Sequence, residues 1–296
     1  MGQTAPVSVI VTHHNRSQLL GNAIDSILAQ TLQPAEIVII DDASEPHHVA
    51  VLDRFRDHAR IVALQENAGI AKARTIGVNE ATGEFIAFLD DDDLWYPHKL
   101  ELQYGILRAN PSLDAVAGSM TIRDANGLAG GLLRSHSSEV ITLKAALAGT
   151  PALFQTLLIR SAVMRQLMPF DSGFRVLEDR DFWIRFAAAG FQARYLAEPT
   201  AYLVRDEAPR LTRNWKRMLD QSLRIVDKHE ALYATVHGPD GPRLERSRIY
   251  RRAGHNRCGI PGRLAYARGC VMGAAWPDLF RLCTTGKMTE LGYAAD

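Results

Sequence analysis

The chain has 296 residues, 47% of them hydrophobic and 23% charged, an ordinary globular composition with enough length to bury a large core without covalent staples. Its 34 lysines and arginines nearly cancel 33 aspartates and glutamates, leaving a net charge of +1. That balance excludes a strongly basic nucleic-acid binder and an acidic solvating chain.

The first hundred residues alternate strand and helix. Val7–Val11 is short, β-branched and apolar, as a strand buried on both faces should be. Leu20, Ile24, Ile27 and Leu28 then recur at helical spacing, and Gln33-Pro34 is expected to end that helix. A second apolar run, Ile37–Ile40, stops at Asp41-Asp42, and a third, Ile61–Leu64, stops at Asn67-Ala68-Gly69. Helical pattern resumes over Ile70–Ala81, and the fourth run, Phe85–Leu89, stops at Asp90-Asp91-Asp92-Asp93. This order predicts an α/β fold with a mostly parallel sheet flanked by helices. In such sheets ligands bind beyond the carboxyl ends of the strands, where all four polar loops converge here.

Farther on, Pro97–Ala109 reads as a helix, Arg123–Ser138 as a loop, and Asp181–Ala189 as a helix closed by Gly190. Arg213–Ala231 and Arg243–His255 also read as helical, separated by the turn Gly238-Pro239-Asp240-Gly241. Charge divides the chain: residues 1–204 carry a net −6 and residues 205–296 a net +7. We therefore expect a domain over 1–204 and a basic helical extension over 205–296.

Cys258, Cys270 and Cys283 fit neither a disulfide framework nor a zinc site. Reduced thiols of a cytoplasmic protein are the expectation. The amino terminus carries no basic region followed by an apolar stretch, so no signal peptide is expected. The longest uncharged stretch, Ala145–Ile159, is interrupted by Gly149, Pro151 and Gln155, which is no membrane span.

The aspartate run is the strongest chemical signal. Strand alternation would place Asp90 and Asp92 on one side of the strand end and Asp91 and Asp93 on the other. Two carboxylates on one side suit a hard divalent cation that also contacts phosphates. Asp41-Asp42 ends its strand similarly, and is read either as a turn or helix cap or as an acceptor for a nucleobase N–H. Glu178, Asp179 and Asp181 open a helix, where acids complement the dipole. A carboxylate presented there can also be aimed as a general base.

No G-x-G-x-x-G follows the first strand, and no P-loop or G-x-S-x-G elbow is present. The pairs His13-His14 and His47-His48 lack metal-ligand spacing. A sugar-nucleotide pyrophosphorylase would need a glycine-rich loop after the first strand, and Thr12–Arg16 contains no glycine.

Five ordered segments carry a resemblance: Val7–Arg16, Ile39–Ser44, Asn67–Arg74, Phe88–Asp93 and Glu178-Asp179. Together, over residues 5–204, they resemble family 2 glycosyltransferases, inverting enzymes of the A-type glycosyltransferase fold. The resemblance implies a nucleotide-diphospho-sugar donor, UDP being the commoner case, and Mn²⁺ or Mg²⁺. By position it assigns Thr12, His14, Asp41, Asp42, Asn67, Lys72 and Asp91 to the donor, Asp90 and Asp92 to the metal, and Asp179 to the base. The chain departs from the usual pattern in having Thr12 for proline and His14 for tyrosine. Many members carry a histidine shortly after the last strand; Tyr202–Asp206 contains none, so no third metal ligand is assigned.

The implied function is sugar transfer to a glycan or lipid-linked acceptor in cell-surface polysaccharide assembly, with no nucleic-acid partner. The alternative is a non-catalytic member that binds a nucleotide sugar or serves as a scaffold, against which the intact acidic loops argue. Two readings of the extension stay open. Its charge, with Trp215, Trp276, Leu279, Phe280 and Leu282, suits peripheral contact with the inner face of a membrane. It equally suits a helical subdomain covering the acceptor cleft.

Overall fold

The computed structural model describes residues 4–124, 129–133, 138–205, 214–255 and 260–273. Strand β1 (Thr4–His13) lies between β2 (Gln33–Asp41) and β4 (Phe85–Asp90), with β3 (Arg60–Ala63) beyond β2, and all four run parallel. The apolar residues of 7–11, 37–40 and 85–89 in β1, β2 and β4 are almost entirely excluded from solvent, which is why these segments read as continuous apolar runs. Helix α1 (Ser17–Leu28) follows β1 and buries Leu20, Ala23, Ile24 and Ile27, one helical face, in the same core. It ends five residues before Gln33, whose side-chain amide donates to the Leu28 carbonyl at 3.0 Å. Gln33 and Pro34 belong to β2, so the expected stop marks the next strand instead.

Helix α2 (Pro46–Leu52) connects β2 to β3, and α3 (Ile70–Glu80) connects β3 to β4. Gly77 of α3 rests on the sheet, where an added Cβ would overlap Ile10 Cγ2 and lie 3.3 Å from Ile40 Cγ1. After the short β5 (Leu94–Trp95), helix α4 (Lys99–Ala109) buries Lys99, Leu100, Gln103 and Leu107. Burial holds the Lys99 ammonium well below its usual pKa, and it lies 4.4 Å from the centre of the Trp95 ring.

The sheet continues through β8 (Leu158–Arg160), β6 (Ala115–Asp124), β9 (Ala193–Arg205) and β5. Here β6 and β9 pair in parallel, while β8 and β5 run antiparallel to their neighbours. The sheet is thus a parallel half joined to a mixed half. The loop expected over 123–138 is in part a hairpin: β7 (Ala129–Leu133) pairs antiparallel with β6, Met120 opposite Leu133 and Arg123 opposite Ala129. Gly130 and Gly131 hide this strand from propensity, and the register comes from β6. Residues 125–128 and 134–137, with His136, lie outside the described residues.

Helices α5 (Leu143–Ala148), α6 (Ser161–Gln166) and α7 (Glu178–Ala188) complete this part. Helix α7 starts three residues before the expected Asp181, so Glu178 and Asp179 occupy its first turn. Phe182, Trp183 and Phe186 anchor it, Phe182 packing on Phe154 and Phe170. Each such buried aromatic contributes roughly 2–3 kcal/mol of transfer free energy.

Chain contacts define two compact units, residues 1–207 and 208–296. The second is helical: α8 (Trp215–Lys228), α9 (Glu230–His237), α10 (Gly241–His255) and α11 (Ile260–Met272). The single helix expected over 213–231 breaks at His229, which flanks both α8 and α9. Arg246 of α10 ties them together through Asp227 at 2.8 Å and Glu230 at 3.2 Å. The Ser247 hydroxyl donates to the Gly269 carbonyl at 2.8 Å, bringing α10 and α11 into close contact. Cys270 is buried, and Cys258, Cys283, Trp276, Leu279, Phe280 and Leu282 lie outside the described residues. No helix among the described residues is long and apolar enough to cross a membrane.

Candidate active site

Strands β1, β2 and β4 deliver three acidic or polar loops to one edge of the sheet. Strand β4 ends at Asp90, and Asp91 and Asp92 form a turn, so side-chain alternation stops there. The consequence differs from the two-by-two expectation. Asp90, Asp92 and Asp93 converge, each offering a carboxylate oxygen within 4.8 Å of the others. Asp91 turns away and is buried against His13, with His13 Nδ1 2.8 Å from its Oδ2 and the His14 backbone N–H donating at 3.3 Å. Arg16 spans the run, lying 2.6 Å from Asp92 and 3.6 Å from Asp91.

The convergent carboxylates are held from several sides. Asp90 accepts from the Thr12 hydroxyl at 3.2 Å, from Arg74 at 2.7 Å and from the Gln155 amide at 2.6 Å. Asp93 accepts from Gln155 at 2.8 Å and from the Val204 backbone N–H at 3.1 Å. Three oxygen donors of this kind fit a hard divalent cation such as Mn²⁺ or Mg²⁺. Asp93 supplies the third carboxylate that the sequence left unassigned. Its signal lay in the run itself, but only the end of β4 at Asp90 reveals which way it faces.

Asp42 has a distinct task at its loop. Its two carboxylate oxygens accept the Ala68 and Gly69 backbone N–H groups at 2.6 and 2.9 Å, binding the β2 loop to the start of α3. Asp41 accepts from the Ser44 N–H at 3.2 Å, and both aspartates are nearly fully buried. Gly69 sits at φ +81°, a backbone conformation that calls for glycine. Of the residues assigned to the donor, His14, Asn67 and Lys72 are exposed, whereas Thr12, Asp41, Asp42 and Asp91 are buried beneath them.

Helix α7 brings its acids to the same edge. Arg74, buried in α3, bridges the two groups: one Nη pairs with Glu178 and the other with Asp90, and its guanidinium carbon lies 4.8 Å from the centre of the Phe154 ring. Those carboxylates outweigh burial and hold the arginine above its usual pKa. Asp179 is half-buried, its carboxylate accepting from the Arg180 N–H at 2.7 Å. Burial, then the neighbouring Glu178 charge, pushes the Asp179 carboxyl up to about 7, against the opposing pull of Arg74. A carboxyl tuned there is suited to taking a proton near neutral pH.

Backbone strain gathers at this edge. Among the described residues, the non-glycine residues with positive φ are Asn15 (56°), Ala43 (56°) and Leu177 (67°). They stand after β1, after β2 and immediately before Glu178, in the three loops that present the polar groups. Conformations of this kind cost about 1 kcal/mol or more each and persist where surrounding contacts over-determine them.

The comparison that decides the family is direct: residues 8–168 match the profile described as Glycosyl transferase family 2. The chain belongs to that family. Its relatives include the glycosyltransferase EpsE of Bacillus subtilis (strain 168), 30% identical over 215 residues, covering 70% of this chain and 76% of EpsE. Among solved structures, S. aureus TarS 1-349 in complex with UDP-GlcNAc superposes with a TM-score of 0.66 at 17% identity, over 89% of this chain and 79% of that one. The mannosyltransferase PcManGT from Pyrobaculum calidifontis, in complex with GDP-Man and Mn²⁺, gives 0.57 at 18% identity, over 95% and 85%. These likenesses establish the A-type glycosyltransferase fold.

For this family 2 member, Arg74, Gln155, Asp93, His13 and Arg16 are the residues to which sequence reasoning gave no site role. His13, Arg16, Arg74 and Asp93 lie within the family-like segments. Gln155 was an amide in an otherwise uncharged stretch, and nothing local marks it.

Proposed function

We propose that this chain is an inverting, cation-dependent glycosyltransferase. It moves a sugar from a nucleotide-diphospho-sugar, with a UDP-sugar favoured, to a hydroxyl of a glycan or lipid-linked acceptor in cell-surface polysaccharide assembly. The chemistry is assigned to the cytoplasm. The observation that carries the reading is Asp179, tuned to about 7 and linked through Glu178 and Arg74 to the Asp90 carboxylate. A base and a cation-suited cluster on one sheet edge are the two parts such a displacement needs. Nucleotide sugars bound to TarS and PcManGT, and Mn²⁺ in the latter, support the same donor class and cofactor.

Asp179 accepts the proton of the acceptor hydroxyl as that oxygen bonds to the anomeric carbon. The bond from that carbon to the diphosphate breaks on the opposite side, its electron pair leaves with the nucleoside diphosphate, and the configuration inverts. Asp90, Asp92 and Asp93 would hold Mn²⁺ or Mg²⁺, which when bound neutralises charge on the departing diphosphate. The exposed His14, Asn67 and Lys72 face the donor. Thr12, Asp41, Asp42 and Asp91 shape the edge from beneath.

Thermal-shift measurements with UDP, GDP, CDP and dTDP, each with and without Mn²⁺, test the donor site, because a ligand that binds only the folded state raises Tm by mass action. One nucleotide, UDP first, should stabilise the protein only when Mn²⁺ is present. No shift with any of the four would overturn the reading in favour of a non-catalytic member.

A further inference from the structure

Three consecutive carbonyls after α5 are each held by a side chain from residues 95–103. The Trp95 indole N–H donates to the Gln155 carbonyl at 2.9 Å, the Gln103 amide to that of Thr156 at 2.7 Å, and the Lys99 ammonium to that of Leu157 at 3.3 Å. Lys99 also donates to Gln103 Oε1 at 2.5 Å, and Gln103 reaches the Val116 carbonyl at 3.2 Å. Lys99, Gln103 and Trp95 are essentially inaccessible to solvent. This framework holds the 3₁₀ turn Phe154–Thr156. The turn's middle residue, Gln155, is 8% exposed and directs its side chain at the acidic cluster.

The Gln155 amide nitrogen lies 2.6 Å from Asp90 Oδ2 and 2.8 Å from Asp93 Oδ2. A primary amide has two N–H donors, and these two contacts use both. We infer that Gln155 is a positioning residue: its NH₂ group bridges Asp90 and Asp93 and keeps the cluster convergent in the absence of a cation. The inference rests on the cation-dependent reading of that cluster. Neutrality is the point of the residue type. Arg74 already pairs with Asp90; a further lysine or arginine at 155 would compete with a divalent ion for Asp90 Oδ2 and Asp93 Oδ2, and a hydrocarbon would remove the contact that joins these two carboxylates. An amide orients both while leaving their negative charge for the ion, as outer partners of metal ligands commonly do.

The test uses the full-length chain and Mn²⁺ alone, followed by electron paramagnetic resonance of free Mn²⁺ and by Tm in EDTA and in Mn²⁺. Gln155→Met, close in shape but without a donor, should bind Mn²⁺ about tenfold or more weakly than wild type. Gln155→Glu places another carboxylate against the cluster. Its Tm in EDTA should fall below wild type, and its gain on adding Mn²⁺ should exceed the wild-type gain. A residue that only builds the turn would lower Tm in both variants while leaving the Mn²⁺ affinity and the Mn²⁺-induced gain at wild-type values, and that result overturns the inference. Absence of Mn²⁺ binding by wild type would instead overturn the cation-dependent reading itself, and the bridge with it.

Discussion

Replacing Asp179 by asparagine should make the protein more stable and inactive at once. In the folded chain its carboxyl titrates near 7, against an ordinary value of 3.8. Ionising it therefore opposes folding. The three-unit difference corresponds to about 4 kcal/mol at 1.4 kcal/mol per unit, an upper bound because the carboxyl is only half-buried. The sign follows from proton binding: between about pH 4 and 7 the folded state holds a proton that the unfolded chain has released. The cost accordingly grows as pH rises through that window and is constant above it. Asparagine stays neutral and keeps an oxygen to accept the Arg180 N–H. In EDTA, the variant should exceed wild type by roughly 2–4 kcal/mol at pH 8, with the advantage shrinking toward zero as pH falls to about 4. Urea unfolding at pH 4.5, 6 and 8 measures it. Equal stability at pH 8, or an advantage that grows toward acid, would refute the assigned environment. Sugar transfer should fall by about 10² or more, with Mn²⁺-dependent nucleotide binding retained. An active variant would move the base to Glu178 or Asp181.

The remaining expectations address neighbouring parts. In the wild type, kcat/KM should rise with pH as Asp179 ionises and level off above about 7, with bound cation drawing the acid limb lower; a flat profile from pH 5 to 8 would exclude this base. Arg74→Met leaves Asp90 and Glu178 without their buried cation and should cost about 3–5 kcal/mol in urea unfolding. Asp92→Ala and Asp93→Ala should each weaken Mn²⁺-dependent nucleotide stabilisation in thermal shift, and an unchanged response would remove that residue from the cluster. Gly77→Ala should destabilise the chain by about 1–3 kcal/mol despite alanine's better helix propensity, because the new methyl overlaps Ile10; a stabilised variant would show that α3 can lift from the sheet.

Local chemistry determines much of this molecule. Residues 7–11, 37–40 and 85–89 are apolar on both faces, and that continuity is enough to make them parallel interior strands ending in polar loops. Alternation with helical periodicity then orders the first four strands, and the acid-bearing motifs at their ends identify the family. What lies beyond these residues depends on contacts between distant segments. Strand β7 carries two glycines and exists because β6 offers it a partner. The segment after helix α1 is tied to a loop 66 residues away, the Gln30 amide donating to the Tyr96 carbonyl at 2.8 Å and the Thr31 N–H to the Pro97 carbonyl at 2.8 Å. The acidic run is visible in one dimension, but which carboxylates converge depends on where β4 ends and on what meets them. Thr12 comes from 78 residues away, Gln155 from 65 and the Val204 backbone from 111. Asp179 itself is an ordinary helix-start acid by pattern. Its raised pKa arises from burial and from the Glu178, Arg74 and Asp90 charges, an electrostatic environment that only the tertiary structure assembles.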